Sequence, residues 1–274
     1  MPSYRVMLDV PRELIWFVSA LLAARRRSTG TRKNTRKLSC YHQAVFGLAW
    51  FRDRSDVRRP GAGPGLSQAT AYRCLAEVIA VLAAEAPGPR EAPERAREEG
   101  TPYVIPDGKI VDAGRCREKT TSRKGKETGR WYSGKRKDFG GNVQALFYPD
   151  GRPMRVSDVL PGNVNDLAAA RESVLETVRL FVEQMPVLAD GGYEGAGHGI
   201  LTPVKKPKGM KELDINARTR NALLRSLRCL GERGFALLSQ RWQTLQHVTM
   251  SPGKIGQIAR AALVLVLFEH KMLT

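Results

Sequence analysis

Residues 186–197, PVLADGGYEGAG, constrain the fold of this chain more than any other stretch. The apolar run Val187-Leu188-Ala189 ends in Asp190, and two glycines follow at once. A short apolar segment closed by Gly-Gly reads as a buried strand running into a turn. The acid then stands at the carboxyl end of a strand, where open α/β sheets place their ligands. Taken alone, Asp190 is also an ordinary turn residue, so its neighbours have to decide.

The N-terminal part reads as helical. Residues 11–24 and 41–52 have the length and composition of buried helices. After the N-capping Ser67, Ala71, Leu75, Val78, Ile79 and Leu82 recur at helical spacing. The first turns of that third helix expose Gln68, Thr70, Tyr72 and Arg73, side chains able to reach base edges or phosphates. A helix placed so after a turn is how a helix-turn-helix presents its recognition helix. Against this, residues 58–65 (RRPGAGPG) are too rich in Pro and Gly to form the supporting helix. The Pro-rich, charged residues 87–100 read as a linker.

Beyond residue 100 the pattern changes to α/β. Tyr103-Val104-Ile105 is expected as a strand closing on the turn Pro106-Asp107-Gly108. Residues 115–137 carry ten basic side chains against two acidic ones, with Trp131 and Tyr132 among them. They form either a disordered loop or a surface that tracks nucleic acid. A hairpin follows around Pro149-Asp150-Gly151, then a helix over 165–184 and the strand ending at Asp190. Residues 200–204 suggest another strand, and 215–242 and 255–272 are expected as helices.

Charge narrows the partner. Forty-five Lys and Arg against 27 Asp and Glu leave +18, a field that favours a polyanion such as nucleic acid. Lys135, Arg136 and Lys137, with Lys205, Lys206 and Lys208, are the basic clusters read as DNA-binding. The four cysteines are scattered with no C-x-x-C pair, which argues against a zinc site or a disulfide framework. The early apolar run has acids before it and arginines after, the reverse of a signal peptide. No apolar run reaches the roughly 20 residues that span a bilayer. The expectation is a soluble cytoplasmic protein, nucleoid-associated in a bacterium, with no membrane partner.

Three acids complete the pattern: Asp107 after the first strand, Asp190 after the later one, and Glu232 in a helix. The ribonuclease-H-like fold gathers three carboxylates in this way. Hard oxygen ligands suit Mg²⁺ or Mn²⁺, and two ions about 4 Å apart can clamp the attacking and leaving oxygens of a phosphodiester. Each acid also has a plain reading: Asp107 as a Pro-Asp-Gly turn residue, Glu232 as an i,i+4 partner of Arg228. Gly231 and Gly234 weigh against the second. Each costs a helix roughly 1 kcal/mol relative to alanine, which points to close approach by a backbone or ligand.

The segments YVIPDGKIVDAGR, YSGKRKDFGGNVQALFYPDGRP, VLPGNVNDLAAARE, VLADGGYEGAG, LTPVKKPKG and NALLRSLRCLGERGFALLSQRW occur in that order. Together they resemble the DDE transposases of bacterial insertion sequences, of the IS-five group, with a Harbinger-like DDE domain. The resemblance covers residues 103–274 and, more loosely, the helical part before them. It implies an α/β fold, a ribonuclease-H-like catalytic domain at 101–274 behind a small all-α, helix-turn-helix-like domain at 1–86. It implies catalytic, metal-holding roles for Asp107, Asp190 and Glu232, two Mg²⁺ or Mn²⁺ ions, recognition of terminal inverted repeats, strand cleavage and strand transfer. DNA, as element ends and target, is the implied partner, with a homodimer or higher oligomer on it.

The sequence departs from the family pattern at three places. Asn165 stands before Asp166 where many relatives have His. Ser239 replaces a basic residue often found two turns after the Glu, with Arg241 nearby. The Pro/Gly tract interrupts the supporting helix. His198 is a candidate neighbour of Asp190 or simply a loop residue. A non-catalytic DNA-binding regulator, an inactivated transposase remnant, and a nuclease that cuts without joining are the alternative readings.

Overall fold

The structure is a computed structural model that describes residues 8–33, 35–53, 57, 65–121 and 125–273; the side chain of Glu232 is outside that description. The Pro/Gly tract over 58–64 also lies outside the described residues.

Helices α1 (Arg12–Ser28), α2 (Cys40–Asp53) and α3 (Gln68–Ala84) form where the apolar periodicity predicts them. Ser67 caps α3, its hydroxyl accepting from the Thr70 amide at 3.3 Å. α2 and α3 cross closely at Gly47, where a Cβ would lie 2.6 Å from a Val78 methyl. These helices share one apolar core with the sheet and with the closing helix α8 (Ile255–Glu269); Phe17 stacks on Phe268 at 4.7 Å. The stretch expected as a linker carries α4 (Glu91–Glu98). Glu91 and Glu94 stand in its first turn and Arg95 and Arg97 in its last, which suits the helix dipole, and Glu91 pairs with Arg95 at 3.1 Å. Ala92 and Ala96 are buried in a second core.

The sheet is built on β1 (Ile105–Ala113) and β5 (Asp138–Phe147), antiparallel from Ile105↔Phe147 to Asp112↔Gly140. Here the structure corrects the sequence reading. Pro106-Asp107-Gly108 is not a turn; it lies inside β1, because the ladder to β5 overrides the local turn signal. β4 (Tyr132–Ser133), β6 (Pro153–Val156) and β7 (Leu160–Pro161) pair with β5, and β10 (His247–Val248) runs parallel to the end of β1. β2 (Lys119–Thr121) and β3 (Glu127–Gly129) make a separate hairpin in the basic stretch.

β8 (Val187–Leu188) and β9 (Ile200–Leu201) are parallel to each other, and Val187 bridges in parallel to Val104 just before β1. The helix expected over 165–184 is broken into α5 (Asp166–Arg171), α6 (Val174–Val178) and a 3-10 turn, Arg179–Phe181. The break falls at Ser173, whose hydroxyl bonds back to the Ala169 carbonyl at 2.6 Å while its own carbonyl accepts from Arg155.

The long helix α7 (Ile215–Arg241) starts at the capping residue Asp214 and lies across β1. Ile105, Val143, Ala145 and Phe147 face the α7/α8 side of the sheet, and Val104, Leu146 and Tyr148 the α5/α6 side. A mixed sheet with helices on both faces is compatible with a ribonuclease-H-like domain.

Candidate active site

Asp107 is the third residue of β1, opposite Ala145. Side chains alternate along a strand, so Ile105, Asp107 and Lys109 share the face covered by α7. The position of Asp190 follows from register. Val104 donates to the Pro186 carbonyl at 3.1 Å, and the Leu188 amide donates to the Val104 carbonyl at 2.9 Å. Asp107 and Asp190 each stand three residues beyond the Val104↔Val187 bridge, at the same level of neighbouring parallel segments. Both carboxylates are oriented by the backbone that follows them. Asp107 Oδ1 accepts from the Gly108 amide at 2.9 Å, and Asp190 Oδ1 from the Gly192 amide at 2.7 Å, capping the 3-10 turn Gly191–Tyr193.

α7 is held against β1 by its glycines. A Cβ on Gly231 would lie 2.6 Å from Ile105 Cγ2, and one on Gly234 would lie inside the Phe147 ring's contact distance and 2.8 Å from the Gly151 carbonyl. Two turns on, Ser239 meets Lys109, whose Nζ donates to its hydroxyl at 2.9 Å. Gly231 over Ile105 and Ser239 over Lys109 bracket Glu232 on α7, so the backbone of that turn lies over the β1 face that carries Asp107. Among the described residues, which exclude the Glu232 side chain, no group of three or more His, Cys, Asp or Glu is gathered closely enough to hold a metal ion.

On the other face a buried polar chain leads away from the site. The Tyr193 hydroxyl donates to Gln144 Oε1 at 2.7 Å; Gln144 Nε2 donates to Asn142 Oδ1 at 2.8 Å; Asn142 Nδ2 donates to Asp166 Oδ1 at 3.0 Å. Lys135 closes it, donating to Asp166 Oδ2 at 2.8 Å. Gly108 makes room, since a Cβ there would overlap the Gln144 amide. Burial, reinforced by the charges of Asp107, Asp166 and Asp190, pushes the Tyr193 phenol far above its ordinary range. The Lys135 ammonium is raised chiefly by its bond to Asp166, with Asp190 and Asp107 adding to it. Three aspartates thus set a negative field around Tyr193. The pattern N-V-Q-A-L, with two amides at alternate positions of a buried strand, was the sequence signal for this chain of bonds; it points both amides to one interior face.

The remaining predicted residues are dispersed. Gln68 and Arg73 are exposed on α3, Tyr72 is half-buried against the core, and Thr70 accepts from Arg73 at 3.2 Å. Arg136 pairs with Asp112 at 3.2 Å, and Lys137 is exposed with φ 58°. Lys205 pairs with Glu194, Lys206 reaches the Lys211 carbonyl at 3.4 Å, and Lys208 is exposed. His198 pairs with Glu183 at 2.7 Å on the surface. Arg241, the cation nearest Ser239 in sequence, is bound to Glu269 and Asp9, so the ammonium at Ser239 is that of Lys109. Arg228, one turn before Glu232, has a buried Nε with no hydrogen-bond partner among the described residues, which exclude the Glu232 side chain.

Neither the curated proteins nor the solved structures offer a match to this chain. A family model described as DDE superfamily endonuclease matches residues 114–266, a span that holds Asp190 and Glu232 and begins seven residues after Asp107. With more than half its length matched by that model, the chain belongs to the DDE superfamily endonucleases, as a transposase-type domain.

Proposed function

We propose that the chain is the transposase of an insertion sequence, one that cuts DNA at the element's ends and joins the freed 3′-hydroxyl to target DNA. The carrying observation is the shared level of Asp107 and Asp190 on neighbouring segments, with the Glu232 turn of α7 passing opposite. Asp107, Asp190 and Glu232 are the acids assigned to the reaction. The donor set fits a hard divalent cation: all three offer carboxylate oxygens, and the field felt by Tyr193 and Lys135 is one that a cation would neutralise. When bound, a pair of Mg²⁺ or Mn²⁺ ions would supply Lewis acidity at the scissile phosphodiester.

The rest of the chain presents the DNA. Lys135, Arg136, Lys137, Lys205, Lys206 and Lys208 are assigned to the DNA backbone; Lys135 feels the charges of Asp190 and Asp107, and Lys205 passes beside Gly191. Gln68, Thr70, Tyr72 and Arg73 are assigned to end recognition. In this reading residues 1–86 bind the inverted repeats, 87–100 connect, and 101–274 cut. Two ends must meet for transposition, so at least two copies act together, in the bacterial cytoplasm where the DNA lies.

The test is nicking of a supercoiled plasmid carrying the element's ends, with Mg²⁺ or Mn²⁺. The expected result is cleavage by the wild-type protein and loss of cleavage, with DNA binding kept, in Asp190→Asn. Binding without cleavage under either metal would make the chain a regulator or a remnant. Cleavage without joining would leave a nuclease.

A further inference from the structure

We propose that Lys109 binds a phosphodiester of the DNA strand at the acid site, an inference that rests on the functional reading above. Lys109 lies two residues beyond Asp107 on the same face of β1, under α7. Its Nζ donates to Ser239 Oγ at 2.9 Å and sits 5.9 Å from the centre of the Phe235 ring. Ser239 gives its own proton to the Phe235 carbonyl at 2.8 Å, so toward the lysine it acts only as a neutral acceptor.

Among the described residues, no carboxylate forms an ion pair with Lys109 within 4.0 Å. The nearby Asp112 is engaged by Arg136 at 3.2 Å. An ammonium has three donors and no acceptor; its bond to a neutral hydroxyl and the fields of Asp112 and Asp107 offset its partial burial only in part. A chain of similar length ending in a methyl would cover Phe235 equally well without that cost. A cation kept in such a position is suited to an anion that comes and goes. Two more exposed lysines differ: Lys135 is held by Asp166 and Lys205 by Glu194.

The site also needs such a group. DNA approaching Asp107 and Asp190 brings its negative phosphates toward two negative side chains. An ammonium fixed beside Asp107 offsets that repulsion locally and gives the strand a fixed point of contact.

The experiment measures binding of a fluorescein-labelled DNA duplex of arbitrary sequence by the full chain in EDTA, across a salt series. Lys109→Met is expected to bind roughly three- to tenfold more weakly at low salt, with the slope of log K against log salt reduced by about 0.9. A double variant, Lys109→Ser with Ser239→Lys, moves the ammonium from strand to helix while leaving it in the same place. It is expected to recover the wild-type slope. An unchanged slope in Lys109→Met overturns the proposal, and so does a folded exchange variant that fails to recover it. Thermal melting identifies which variants fold, and where Lys109→Met does not, the exchange variant alone decides. Asp190→Asn separates the two readings: if it still nicks DNA the catalytic assignment fails, whatever Lys109 does to the slope.

Discussion

Replacing Gly234 by alanine tests whether α7 is pressed onto the sheet closely enough to fix the position of Glu232. The added methyl would meet the Phe147 ring and the Gly151 carbonyl, the latter at 2.8 Å. Phe147 is fully buried and wedged edge-on against Phe235, with ring centres 5.2 Å apart, so it has nowhere to turn. Ordinary carbon contacts begin near ~3.5 Å, which requires the helix to lift by about 1 Å. Overpacking of this kind costs roughly 1–3 kcal/mol, and alanine returns about 1 kcal/mol of helix propensity. The expected net loss is about 0–2 kcal/mol, a fall in melting temperature of up to a few degrees. The effect on nicking should be larger, because a displacement of about 1 Å at a reacting group costs on the order of a hundredfold. Gly114→Ala, with open space around its Cβ, is the control and should leave both quantities unchanged. A Gly234→Ala protein that melts and nicks like wild type would refute the close contact on which the Glu232 assignment depends.

Gln144→Leu should cost about 1–3 kcal/mol in urea denaturation, because it strands the Tyr193 hydroxyl and the Asn142 Oδ1 inside the protein. Gly108→Ala should act in the same direction by displacing the Gln144 amide. Arg241→Met removes bonds of 3.0 and 3.1 Å to the largely buried Glu269, and should destabilise the fold by about 2–3 kcal/mol in the same assay. Chelation should abolish nicking and leave DNA affinity nearly unchanged, with activity regained on adding Mg²⁺ or Mn²⁺; cleavage that persists in EDTA would remove the acids' proposed role.

How far the sequence could be read depended on whether a signal was local or was decided across the sheet. Asp190 was placed correctly because Val187-Leu188-Ala189 and the two glycines state a strand end within a few residues, and the structure caps a 3-10 turn with that acid. Asp107 looked like a turn residue for the same local reason. Yet eight paired positions with β5 carry the strand straight through Pro106-Asp107-Gly108, and no window around Asp107 contains that partner. Gly108 shows the consequence: its missing side chain serves the Gln144 amide on the next strand rather than a bend. The glycines around Glu232 were correctly taken as a sign of close approach, and what approaches is the sheet, through Ile105, Phe147 and Gly151.

The exchange at Ser239 was the hardest to foresee. A missing cation in a helix invites a search along that helix, and Arg241 is the obvious substitute in sequence. Arg241 is drawn instead to Glu269 and Asp9, where it ties α7 to α8 and to the N-terminal segment. The ammonium at Ser239 comes from β1, 130 residues away in the chain. Asp107 and Lys109 therefore arrive at the proposed acid site on one strand, with their spacing set by the pleat. A shift of β1 by one residue against β5 would turn both to the opposite face together, so the register of this single ladder governs the acid and the cation alike.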